Sequence, residues 1–282
     1  GVRDDMNSLS PKTKLLCEMV VGFLFCYLDI RLYSFYGLFG VYELPIWLSY
    51  ILTIAFIIVV CNAYNLIDGI DGQAGTQALA VFLFLAGFLF HLIYATDVLH
   101  QDTFFANANF WMIAFVAIIG SLIGFLVFNW QPAKIFMGDT GSLFIGTLIA
   151  LSIIMSMNYS GADPILIYDY EIKAKILVFP MFFFLPFADT LRVFVSRIRR
   201  GKSPFSADKT HIHHFLLRTG YSHQRTAITN FVIQVVVSLI SIIVAFLISD
   251  LFYIIYIVAI WVIYVVVLRF TIQKKIANHK HN

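Results

Sequence analysis

Eight apolar runs, each close to the length needed to cross a bilayer, dominate the 282-residue chain. A bilayer core about 30 Å thick needs a helix of about 20 mostly apolar residues. Such runs are read at 15–33, 46–61, 74–95, 110–129, 142–158, 174–194, 226–248 and 251–269. Composition agrees: 60% of the residues are hydrophobic and 12% charged, against about 25% charged in ordinary soluble domains. A soluble globule of this length could not hide so much apolar surface. The runs are apolar on every face, which excludes the alternating ~10-residue segments of a membrane β-barrel. Hydrophobicity this high also excludes low-complexity disorder. Cys17, Cys26 and Cys61 are odd in number and lie in or beside apolar runs, so they read as small core residues. The expectation is an all-α polytopic membrane bundle of about eight helices, with residues 1–282 forming a single domain.

Lys and Arg fix the orientation, because they stay on the cytoplasmic side. With eight spans, the segments 1–14, 62–73, 130–141, 195–225 and 270–282 share one face. That face, helix ends included, holds 16 of the 19 Lys and Arg; the opposite loops hold Arg31, Lys173 and Lys175. Every unusual polar cluster also lies on the first face. A net charge of +3 is too small to imply nucleic acid.

Four clusters carry chemistry. Asp4-Asp5 precedes Lys12 and Lys14; adjacent carboxylates repel, so at least one should keep a raised pKa unless a cation neutralises it. The pair reads as a metal or proton site, or as a solvated acidic terminus. Asn62, Asn65, Asp68 and Asp71 recur every third residue after the second span, a spacing that keeps neighbours on one helical face. Gly69 and Gly72 allow non-helical backbone there. A loop of incidental turns is the alternative, yet carboxylates beside an apolar span are expensive without a task. Phe136-Met137-Gly138-Asp139-Thr140-Gly141-Ser142 stands at the mouth of the fifth span, where helix N-terminal amides attract phosphate. Asp139 would repel a phosphate unless a cation lay between them, and Mg²⁺ takes oxygen from one or two carboxylates plus phosphates. A plain helix cap is the other reading.

The fourth cluster follows the basic run from Arg197 to Lys202, itself a positive-inside anchor. His211, His213 and His214, beside Lys209 and Arg218, lack the Cys partners or H-E-x-x-H spacing of zinc sites. They read as donors to phosphate oxygens. Glu18, about one turn into its span, can face the interface or the bundle, and His91 and His100 read as structural residues near the outer face.

Together these motifs resemble the polyprenyl-phosphate N-acetylhexosamine-1-phosphate transferase family, which includes glycan-initiating enzymes and the lipid I synthase. The resemblance rests on Asp4-Asp5 with Lys14-Leu15-Leu16, Asn62 to Gly72, Phe136 to Gly146 and His211 to His214. Thr210-His211-Ile212-His213-His214 and Asp189-Thr190-Leu191-Arg192 are similar to the glycan-initiating branch. The lipid I synthase branch has three adjacent His followed by Phe-Glu. Complete members carry roughly three more spans ahead of Asp4-Asp5, so the resemblance implies that part of the bundle precedes Gly1.

The resemblance implies transfer of N-acetylhexosamine-1-phosphate, GlcNAc-1-phosphate foremost, from a UDP-sugar to undecaprenyl phosphate at the bacterial inner membrane, facing the cytoplasm. It implies Mg²⁺ (with Mn²⁺ as a substitute) on Asp139 and Asn65, and catalytic roles for Asp4, Asp5, Asp68, Asp71, Asp139 and His213. Of the two N-terminal carboxylates it favours Asp4 as base. Lys14, Asn62, Phe136, His211, His214 and Arg218 are assigned to substrate, with Phe136 either stacking on uracil or packing as an ordinary aromatic. A homodimer is expected on the same ground. Rival readings are a lipid I synthase and an ion-coupled transporter; a transporter places its carboxylates near the bilayer midplane, whereas these stand at span ends.

Overall fold

A computed structural model describes residues 1–6, 10–95, 102–161, 166–167, 170–171, 175–203 and 210–279. Its described residues form eleven α-helices: α1 (Val2–Met6), α2 (Pro11–Tyr27), α3 (Ile46–Ile67), α4 (Gln73–Ala95), α5 (Asp102–Asn129), α6 (Gly138–Gly161), α7 (Lys175–Met181), α8 (Phe184–Arg199), α9 (Ile212–Arg218), α10 (His223–Leu247) and α11 (Asp250–His279). The strands are one antiparallel pair, β1 (Leu166–Ile167) and β2 (Tyr170–Glu171). Helices α3, α4, α5, α6, α10 and α11 are long and apolar enough to cross a membrane. The molecule is the expected all-α polytopic bundle, with six such helices among the described residues.

Two of the eight expected spans take another form. The first, read as 15–33, starts earlier and stops at Tyr27. Ser10 caps its start by accepting from the Thr13 N–H at 3.2 Å, with Pro11 in the first turn, where a missing N–H is harmless. Its end is fixed by polar residues that follow. Asp29 adopts a left-handed conformation (φ 63°), and Arg31 donates to Asp29 at 3.1 Å and to Ser49 of α3 at 3.0 Å. The sixth, read as 174–194, is split into α7 and α8. Gln234 of α10 repairs the break: its Nε2 donates to the Met181 and Phe182 carbonyls at 3.1 and 3.0 Å, and its Oε1 accepts from the Leu185 N–H at 2.8 Å. Broken helices survive at membrane depth when side chains satisfy the freed backbone groups.

The core is centred on α3, which packs against α6, α2 and α8. The α3–α6 contact is close because of Gly146: a Cβ there would lie 2.9 Å from the Cys61 Cα and 3.3 Å from the Tyr64 Cβ. One helical turn onward on each helix stand Asn65 and Ser142, so this backbone contact sets the spacing of the polar groups at the helix ends.

Candidate active site

Where α3 ends and α6 begins, three expected residues meet. Asn65 Nδ2 donates to Asp139 Oδ1 at 2.8 Å and to Ser142 Oγ at 2.7 Å. From α2, the Lys14 ammonium donates to Asp139 Oδ2 at 2.7 Å, with both side chains about 30% exposed. Each oxygen of Asp139 thus has a neutral or cationic neighbour and still reaches water.

Asp5 sits on the N-terminus of α6. Its Oδ1 accepts from the Asp139 N–H at 2.8 Å, and its Oδ2 accepts from the Thr140 N–H at 3.0 Å and from the Thr140 hydroxyl. The amides expected to attract phosphate are therefore held by the chain's own carboxylate. These hydrogen bonds, the Thr140 hydroxyl first, lower the Asp5 pKa from its ordinary value, so Asp5 is not the member of the pair with a raised pKa. The Asp4 side chain lies outside the described residues.

Asp68 caps the C-terminus of α3. Burial, then the negative charges of Asp139 and Asp5, push its pKa up to about 6. Next to it, Gly69 gives way to a ring: a Cβ at Gly69 would lie 2.6 Å from His213 Nε2. His213 is therefore packed against the loop that carries Asp68. Its own pKa is pushed down to about 3, by burial first and then by His214 and His211, so the imidazole is neutral near pH 7.

The common helical face expected for residues 62 to 71 does not persist, because α3 stops at Ile67 and the chain turns at 68–72. Asn62 points to α2, donating to Glu18 Oε2 at 2.6 Å and to the Ile58 carbonyl at 2.9 Å. Asp71 turns away, accepting from the Ala133 N–H at 3.3 Å and lying 3.4 Å from His223 Nδ1. Phe136 is 75% exposed rather than packed, and Arg218 is exposed at the end of α9.

His211 is not an open phosphate donor. It is buried, and its Nδ1 donates to Asp189 Oδ2 at 2.9 Å. Asp189 is fully buried and also accepts from Arg192 (Nη2, 2.6 Å), the Ile212 N–H (3.1 Å) and the Tyr264 hydroxyl (3.1 Å). This knot ties the start of α9 to α8 and α11. The ring of His213 stacks with that of His211, centroids 5.9 Å apart, and meets that of His214 at 4.2 Å. Lys209 and His100 lie outside the described residues.

Three residues outside the expected site set gain a role in the structure. Glu18 follows Lys14 by one turn and holds Asn62; a buried Glu in an apolar span is itself a signal. Asp189 carries the same signal. His223, beside Asp71, carries none in the sequence.

The oxygen-rich donor set fits a hard divalent ion. Asp139 and Asn65 offer a carboxylate and an amide carbonyl, and the negative charges of Asp139 and Asp5 add to burial in raising Asp68 beside them. Asn65 presents its Nδ2 to Asp139, so holding an ion would require the amide to turn its oxygen inward. Among the described residues no three His, Cys, Asp or Glu converge into a closed cage.

The sequence profile of the family described as Glycosyl transferase family 4 matches residues 1–157. The decaprenyl-phosphate N-acetylglucosaminephosphotransferase of Mycobacterium tuberculosis is 32% identical over 240 residues, covering 81% of this chain and 56% of that protein. The probable undecaprenyl-phosphate N-acetylglucosaminyl 1-phosphate transferase of Bacillus subtilis is 32% identical over 248 residues, 85% of this chain and 60% of that protein. The phospho-N-acetylmuramoyl-pentapeptide-transferase of Kosmotoga olearia is 29% identical over 248 residues, covering 86% and 67%. The chain spans 56% and 60% of the length of the first two relatives.

Proposed function

The chain belongs to glycosyl transferase family 4, and on that premise we propose that it carries the reaction centre of a UDP-N-acetylhexosamine:undecaprenyl-phosphate N-acetylhexosamine-1-phosphate transferase. GlcNAc-1-phosphate is the group proposed to be transferred, at the cytoplasmic face of the bacterial inner membrane, by a homodimer. The observation that carries this reading is the meeting of Lys14, Asn65 and Asp139 at the mouth of α6. A lipid I synthase is the second reading, favoured by the likeness to the Kosmotoga olearia protein.

In the proposed reaction an oxygen of undecaprenyl phosphate attacks the β-phosphorus of the UDP-sugar. A new P–O bond forms as the bond to UMP breaks, and UMP leaves with its phosphate. Both reactants are anions, so positioning and positive charge supply most of the rate. Bound at Asp139 and Asn65, Mg²⁺ (or Mn²⁺) would supply neutralisation of the diphosphate and of the departing UMP. Lys14 adds a cation that can pass from Asp139 to a phosphate oxygen. Neutral His213, against the Asp68 loop, donates a hydrogen bond without adding charge. Asp5, with both oxygens engaged, fixes the N-terminus of α6, and the family resemblance assigns to Asp4 the role of taking or orienting the lipid phosphate proton. That phosphate, with a second pKa of about 6 by analogy with phosphoserine, is largely ionised already, so the base contributes less than the cations. The polyprenyl chain is assigned to an apolar groove of about 300 Å³ lined by Phe56 of α3, Phe187 and Leu191 of α8 and Val258 of α11.

The test is incubation of the protein with undecaprenyl phosphate, Mg²⁺ and a panel of UDP-sugars, followed by mass measurement of the lipid and of UMP. A lipid heavier by one N-acetylhexosamine-1-phosphate is expected, with EDTA abolishing it and Mg²⁺ restoring it. Product only with UDP-MurNAc-pentapeptide would establish the second reading; no UMP with any donor would refute both.

A further inference from the structure

Below the point where α8 and α11 touch, the two helices stand apart. Trp261 of α11 donates its indole N–H to the Ala188 carbonyl at 3.1 Å, and Tyr264 reaches Asp189. Beyond these bridges lies a cleft of about 450 Å³, walled by Arg192 and Arg199 from α8, by Arg200 at its C-terminal end, and by Val262, Val266 and Arg269 from α11. Among the described residues no carboxylate lines it. Arg192 is already matched to Asp189 at 2.6 Å, and its guanidinium lies over the Phe215 ring at 5.3 Å. Arg199, Arg200 and Arg269 are exposed.

Depth decides what such a cleft can hold. The apolar stretch of α11 runs from Asp250 to Thr271, so Arg269 stands at its end, where lipid phosphates lie. Val266 and Val262 stand about one and two turns further in, where acyl chains lie. Positive charge at phosphate level above an apolar wall is the complement of an anionic lipid, whose headgroup attracts arginine and whose chains cover apolar side chains. A free phosphate would use the arginines and leave the valine wall exposed.

The geometry points to a binding site for an anionic phospholipid between α8 and α11, its phosphate on Arg199, Arg200 and Arg269 and its chains along Val262 and Val266. The site is separate from the Asp139 centre, and binding there does not depend on the proposed reaction.

The experiment is native mass spectrometry of the detergent-purified protein mixed with phosphatidylglycerol or phosphatidylcholine. Phosphatidylglycerol adducts are expected to predominate and to persist in millimolar inorganic phosphate. In an Arg199→Ala, Arg200→Ala, Arg269→Ala variant their affinity should fall at least ~10-fold, since each surface cation contributes to anionic-lipid attraction. The corresponding triple Lys variant should keep most of it, and thermal unfolding of all three proteins should coincide because the side chains are exposed. Equal binding of both lipids, or undiminished phosphatidylglycerol binding in the Ala variant, would overturn the proposal. So would one-for-one displacement of phosphatidylglycerol by undecaprenyl phosphate, which would give the cleft to the lipid substrate.

Discussion

Asp139 and Asp189 are both carboxylates facing cationic groups, and they are built for opposite purposes. Asp139 keeps 30% of its side chain exposed and has one ammonium and one amide as partners, each from a different helix. Asp189 is fully buried and saturated by a guanidinium, an imidazole, a hydroxyl and a backbone amide. A buried charge persists only when paired and hydrogen-bonded, and nothing further can be added to such a group. The half-open carboxylate has room to exchange its Lys14 partner for another cation. The closed one holds the His211–His214 segment in place. Charge alone does not mark a reaction centre; an unfinished set of partners does.

Exchanging the two roles by mutation tests this contrast. Asp139→Asn should lower transfer by about 10³-fold, the scale of removing one transition-state electrostatic contact, while the detergent melting temperature barely moves. A melting temperature lowered along with the activity would make Asp139 structural. Asp189→Ala should do the reverse in order of events: unfolding stability drops by about 3–5 kcal/mol, as when one partner of a buried pair is removed. Chemical denaturation reads that loss directly, and an unchanged midpoint would remove the distinction drawn above. Tyr264→Phe, which deletes one of the hydrogen bonds to Asp189, should cost about 1.5–3 kcal/mol and leave the affinity for the UDP-sugar unchanged.

The most gradual expected effect is one of pH. His213 has its folded pKa depressed to about 3, below its unfolded value of about 6.5. Above pH 6.5 both states are neutral and nothing is lost. As pH falls from 6.5 toward 3 the unfolded chain binds a proton that the folded chain does not, so stability declines by up to about 1.4 kcal/mol per pH unit. The decline between pH 6.5 and 5 should be shallower in His213→Gln. Parallel curves for the two proteins would place the ring in contact with water.

The spans were largely legible because burial in lipid is a property of composition. The ends of α2 and the break between α7 and α8 were not, because they depend on partners far away in sequence: Ser49 for Arg31, and Gln234 for the Met181 and Phe182 carbonyls. Asn65 and Asp139 were legible for a local reason, since each is a polar residue set at the mouth of an apolar run with glycine nearby. Asn62, Asp71 and His211 stood in the same motifs, yet Glu18, His223 and Asp189 decide where they point. Periodicity extended through 71 failed at Ile67, where the helix ends.

Gly146 leaves two main chains touching at Cys61. The gap between the Asn65 amide and the Asp139 carboxylate is thereby gauged by backbone atoms, which survive any change of side chain on the lipid-facing surface. Substitution of a lipid-facing side chain leaves that gauge alone, whereas even a single methyl at position 146 would wedge it open.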